Sequence, residues 1–162
     1  MQRTSAPVKP AALATDLATL VKYLMHAHGT DFFETVGELD LSFTQVRALS
    51  LLVRDLDQAS LNQLADRLSL SVPAVSRSVE GLVKRGYVTR AEDADDRRVK
   101  QVAATPEGRA LVERLMELRV AGFARFVKTL DDDERARLAD ALEPIVAREE
   151  IATMRQRLRR AR

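Results

Sequence analysis

Arg97 and Arg98 follow a run in which four of the five residues from Glu92 to Asp96 are acids. A guanidinium fits phosphate oxygens, guanine edges and the narrow, strongly negative minor groove of a duplex. A solvated turn whose opposite charges neutralise each other would have the same composition, so this pair is not decisive by itself. A third cation, Arg77, lies in "VPAVSRSVEGLVKRGYV", residues 72–88. Projected at about 100° per residue, Val72, Val75, Val79, Leu82 and Val83 gather on one side and should be core. Pro73, Ala74, Arg77, Gly81 and Lys84 point roughly the other way, with Ser76 and Ser78 on the flanks. That outward face is small near its N-terminus and basic, with Glu80 as its acid. Small side chains let a backbone approach a major groove, Arg77 can bond a guanine edge bidentately, and the helix start at Ser71 attracts phosphate. An ordinary solvated helix face also carries Arg and Lys.

Other chemistries find little support. The chain has no cysteine, which excludes disulfides and thiolate metal sites and is compatible with a reducing cytoplasm. His26 and His28 stand at i and i+2, which face apart on a helix and cannot share a metal. There is no glycine-rich phosphate loop and no serine with a plausible His and Asp partner. The carboxylates of the acidic turn are exposed, where nothing would tune them for catalysis. No enzyme, metal or cofactor is expected. Aromatics are only 4% and Trp is absent, so Leu, Val and Ala must build the core. No apolar run approaches the length of about 20 residues that spans a membrane. The net charge of +2 is too weak to announce nucleic acid by itself, so the placement of the cations matters more.

The elements that must hold these arginines can be read in order. Residues 1–10, with Pro7 and Pro10 among them, are expected to be a flexible arm. From Ala11, Leu13, Leu17, Leu20, Val21 and Leu24 recur at helical spacing, and this helix bends near Gly29 or continues to about Gly37. Ser42 with Gln45, and Ser60 with Gln63, are capping-box pairs that start two short helices. Val46, Leu49 and Leu52 line the first; Leu61, Leu64, Ala65 and Leu68 line the second. A tight "SLS" turn leads into the helix of Arg77, which ends at Gly86, a left-handed C-cap. The runs "YVTRAED" and "RVKQVAAT" are strand-prone and joined by the acidic turn, with Val88, Val102 and Ala104 as candidates to face the helices. Asp96 is expected to pair with an arginine and stiffen the tip. Thr105 then caps a helix with Pro106 in its first turn. Helix, tight turn, helix, hairpin is a winged helix-turn-helix. The fold class is mainly α with a small β-hairpin wing. The boundaries are 1–10 arm, 11–40 N-terminal helix, 41–105 winged domain and 106–162 C-terminal helices with a basic tail.

Four motifs in this order resemble the MarR family of bacterial transcriptional regulators. "LSFTQVRAL" resembles the family's Leu-Thr-x-x-Gln-x-x-x-Leu helix opening. "LNQLADRLSLSVPAVSRSVEGLVKRGYVTR" resembles its helix-turn-helix, "DADDRR" its wing signature and "ATPEGRAL" its Leu-Thr-x-x-Gly exit. The resemblance covers about residues 11–150. It departs at Ala104, where a larger aliphatic is usual, and at Pro144, which interrupts a helix. It implies a homodimeric repressor that reads double-stranded DNA, with Ser71, Pro73, Ala74, Ser76, Arg77 and Lys84 in the major groove and Arg97 and Arg98 in the minor groove. The outer helices would interleave with a second copy. Leu111, Leu115 and Leu118, then Leu130, Leu138, Leu142, Ile145 and Val146, offer more apolar stripe than a small winged domain covers alone. A monomer with locally packed helices is the alternative. Many relatives release DNA when a small aromatic or phenolic anion enters the crevice beside the winged domain. By that analogy Tyr23, His26, His28 and Phe32 are candidate effector contacts. A winged domain used only for protein contact would instead show an apolar or acidic outward face on its second helix. The tail "RQRLRRAR" is either a phosphate-contacting arm or a frayed helix end.

Overall fold

The computed structural model describes residues 9–27, 30–92 and 100–152. In chain order these form α1 (Pro10–Ala27), α2 (Thr30–Glu38), α3 (Phe43–Leu51), a π-helical turn (Leu52–Leu56), β1 (Gln58–Ser60), α4 (Leu61–Leu68), α5 (Val72–Lys84), β2 (Val88–Glu92), β3 (Lys100–Ala104), α6 (Pro106–Thr129) and α7 (Asp132–Val146). They divide into two compact units, one of Thr35–Glu117 and one of Met1–Glu34 with Leu118–Arg162.

The first unit is built by local signals. The Ser42 hydroxyl accepts from the Gln45 amide (3.2 Å) while the Gln45 side chain accepts from the Ser42 amide (2.7 Å). Ser60 and Gln63 repeat the device at 3.2 and 2.8 Å, so α3 and α4 each start with two orphan amides satisfied. The chain leaves α4 through Ser69 in the left-handed region (φ 56°), and the Leu70 amide returns to the Ala65 carbonyl at 3.0 Å. Helix α5 closes with Gly86 (φ 75°), whose amide donates to Val83 O while Tyr87 donates to Leu82 O. Those two bonds form a Schellman motif, which only a residue at ease with positive φ can complete cheaply. Leu49, Leu52, Leu64, Val75, Val79, Leu82, Val88 and Val102 are fully buried and form the core of this unit. Each contributes about 1.5–3 kcal/mol relative to exposure.

The sheet has three strands, not the two of a simple hairpin. Its order is β1-β3-β2, both pairings antiparallel, with Ala59 and Arg90 opposite Val102 on its two sides. Strand β1 was missed because three residues carry no periodicity; Ala59 is nevertheless 1% exposed. Leu111 and Leu115, expected to await a partner, are buried already.

The second unit packs differently. No residue of α1 or α7 is buried. The Arg119 guanidinium lies 4.5 Å over the Phe32 ring, Arg125 pairs with Asp31 at 3.1 Å, and Tyr23 meets Phe126 edge-on at 6.2 Å. Asp131 caps α7 reciprocally with Glu134, an acidic start that suits the positive helix end. Pro144 sits in the last turn of α7, which stops at Val146 before helix resumes over 149–152. Pro144 has no N–H to donate to the Asp140 carbonyl one turn earlier, and the helix ends two residues beyond it.

Candidate nucleic-acid interface

Helices α4 and α5, joined by the Ser69–Ser71 turn, are the helix-turn-helix. Val75, Val79 and Leu82 are completely buried and lock one side of α5 to the core. Val72 and Val83, expected in that stripe, are 39% exposed each. They stand about 60° and 80° round the helix from Val75, at the edge of the stripe, where its partners run out. Gly81 was assigned to the outward face and is not there. A Cβ on it would lie 2.2 Å from the Gln45 side-chain nitrogen, so Gly81 is the point where α3 approaches α5.

Of the expected contacts on α5, Ser71, Pro73, Arg77 and Lys84 are exposed, and Ala74 and Ser76 are half-buried. Ser71 is the N-cap residue, but its side chain makes no capping bond. The Arg77 guanidinium has no acceptor among the described residues. An open groove of about 650 Å³ lies beside it, with Asp40, Ser42 and Thr44 on one wall and Ala74, Arg77 and Ser78 on the other. On the opposite flank the Ser76 hydroxyl donates to Glu80 (3.1 Å), and Arg90 of β2 reaches Ser76 O (3.3 Å) with a nitrogen 4.0 Å from Glu80. The acid of the outward face is thus partly offset by a cation from the wing. Arg90 and Arg85 were not singled out from the sequence. Arg90 acts on Ser76 and Glu80, 14 and 10 positions away, and Arg85 on Leu39 and Asp40, more than 40 away, and no local spacing signals that. Arg97 and Arg98, with Asp93, Asp95 and Asp96, lie outside the described residues. The base of the wing is fixed by pairing from Val88↔Ala104 to Glu92↔Lys100.

The candidate effector residues are not gathered in one place. Phe32 is turned into packing at 5% exposure. Tyr23 faces Phe126, and His28 lies outside the described residues. His26 donates through Nδ1 to Lys22 O and lines an apolar groove of about 660 Å³ with Ala18, Val21, Met25 and Phe33. Among the described residues no group of three His, Cys, Asp or Glu could hold a metal ion, and no helix is long and apolar enough to cross a membrane.

Residues 39–99 match the model of the MarR family. The chain is 29% identical over 109 residues to the HTH-type transcriptional regulator SarZ of Staphylococcus saprophyticus, covering 67% of this chain and 73% of that one. The crystal structure of RV1404 from Mycobacterium tuberculosis superposes with a TM-score of 0.75 at 26% identity, over 91% of this chain and 99% of that chain. A mutant of S. aureus MepR bound to an oligodeoxyribonucleotide gives 0.65 at 22% identity, over 81% and 96%. The helix-turn-helix, the three-stranded sheet and the capped helix that leads into α4 all lie within or beside the segment that matches the MarR family model, and over that segment the chain resembles this family.

Proposed function

We propose that this chain is a sequence-specific regulator of transcription, a repressor that binds double-stranded DNA as a homodimer. The observation that carries this reading is α5 itself: a helix clamped to the core on one side and presenting Arg77 uncommitted on the other. A free guanidinium beside small residues is what a guanine edge in a major groove requires. The DNA-bound MepR neighbour supports the same use of the fold. A face built for protein contact would be apolar or acidic there. Work on DNA would be done in the cytoplasm.

The apolar residues left exposed on α1 and α7 support a second copy as partner, among them Leu13, Leu17, Val21, Leu142 and Ile145. The groove that His26 and Lys22 border supports a small aromatic anion as effector, because its volume falls in the usual ligand range. The test is selection of duplexes from a random pool at fixed salt. A two-fold dimer should enrich a pseudo-palindrome with half-sites about 10 base pairs apart. Recovery of unenriched sequence would defeat the proposal. Adding small phenolic carboxylates to the selected complex then tests for release.

A further inference from the structure

We propose that Arg85 is the positioning residue for DNA reading: it fixes the tilt of α5 by tying the end of that helix to the corner between α2 and α3. This rests on the DNA-binding reading above. Arg85 is the C-cap residue of α5. Its Nε donates to Leu39 O (3.4 Å), its Nη1 to Gly81 O (3.1 Å), and its Nη2 to both Asp40 O (2.8 Å) and Asp40 Oδ2 (2.7 Å). One planar group therefore joins its own helix to a segment more than 40 residues earlier. The carboxylate matters least, because Asp40 is 95% exposed and such ion pairs are nearly neutral in water. The two corner carbonyls matter more, because the backbone holds them in place. Asp40 adopts φ 50°, its amide donates to Gly37 O, and Leu41 donates to Val36 O. A lysine carries the charge but not the planar fork, so one nitrogen would have to replace three.

The geometry makes this tie relevant to recognition. Arg77 stands eight residues before Arg85, about 12 Å along the helix. A tilt of about 10° pivoting at Arg85 displaces the Arg77 backbone by about 2 Å, whereas a bidentate contact tolerates about 0.5 Å. Loss of the tie should therefore cost specific binding more than general affinity for a polyanion.

The experiment uses the full chain, with R85A and R85K, against a duplex selected by the wild type and a scrambled duplex of the same length. Titrations run at several salt concentrations, below the unfolding temperature of each variant. Both variants are expected to lose about tenfold or more on the selected duplex, change less than about twofold on the scrambled one, and keep the wild-type salt slope. R85K retains charge and stem, so it decides the matter if R85A does not fold. Wild-type affinity of R85K for the selected duplex would overturn the proposal. So would an R85A loss that is equal on both duplexes with a salt slope shallower by about one, the mark of a direct phosphate contact. A wild type that selects no duplex overturns this proposal and the DNA-binding reading together; a normal wild type with an unaffected R85K overturns this proposal alone.

Discussion

Gly108 has no space for a methyl group. A Cβ there would sit 2.1 Å from the Tyr87 carbonyl oxygen and 3.1 Å from a Leu49 methyl. The contact is backbone to backbone, so it cannot be relieved by turning a side chain. Thr105 closes the same corner: its hydroxyl donates to Gly86 O (2.7 Å) and accepts from the Gly108 amide (3.0 Å), while its own amide donates to Tyr87 O (3.1 Å). The Thr-x-x-Gly pattern at the wing's exit thus has a physical reason, because the helix start must lie directly against the strand's entry. Gly108→Ala should lower stability by about 1–3 kcal/mol even though alanine is the better helix former. A thermal midpoint equal to or above wild type would refute that packing. Arg77 is tested at this scale too, as the proposed reader of a base edge rather than a support. Arg77→Ala should cost about 1–3 kcal/mol of binding and relax base preference at one position of the selected site. An equal loss on every sequence would make it a phosphate contact instead.

Among the elements, α4 tests how much a cap contributes. Its eight residues are too few to form a stable helix alone, so the reciprocal Ser60–Gln63 bonds and the burial of Leu64, Ala65 and Leu68 must hold it. Ser60→Ala should destabilise the chain by about 1 kcal/mol, while Ser60→Asp should stay close to wild type, as read by denaturant midpoints at constant slope. If both variants behave alike, the hydroxyl bond is not what starts the helix. These caps, the left-handed C-cap at Gly86 and the burial of Val75, Val79 and Leu82 on α5 were legible in the sequence, because each depends on nearby residues; Val72 and Val83, read into the same face, are exposed. The π-helical turn at Leu52–Leu56, strand β1 and the seat of Gly81 were not. Gly81 is spoken for by Gln45, Ala59 by Val102, and Arg85 by Leu39 and Asp40, all partners that the chain brings together only on folding. Of the α5 residues proposed to contact DNA, the exposure of Pro73, Arg77 and Lys84 was readable from periodicity. The shielding of Glu80 by Arg90 was not.

At the scale of the molecule, the exposed leucines decide between a chain that works alone and one that works in pairs. Leu13, Leu17 and Val21 repeat every four residues along α1 and are 49–54% exposed; Leu142 and Ile145 of α7 are 44% and 43% exposed. A soluble monomer rarely leaves such stripes bare, whereas a two-fold partner would cover them with their own counterparts. The wild-type chain should therefore sediment at twice its 18.1 kDa mass. Leu17→Glu combined with Ile145→Glu should give the single-chain mass at micromolar concentration, because a carboxylate is costly to bury without a partner. The Thr35–Glu117 unit contains neither position, so its helical signal and melting should persist. The consequence for DNA follows from effective concentration. In a dimer, binding of one half-site presents the second α5 to the other, and the gain over a lone half-site can reach about 10²–10⁴. The double variant should lose that gain and bind a full pseudo-palindrome no better than an isolated half-site. If it still protects both half-sites at wild-type concentrations, pairing does not run through these helices, and the bare stripes on α1 and α7 need another explanation.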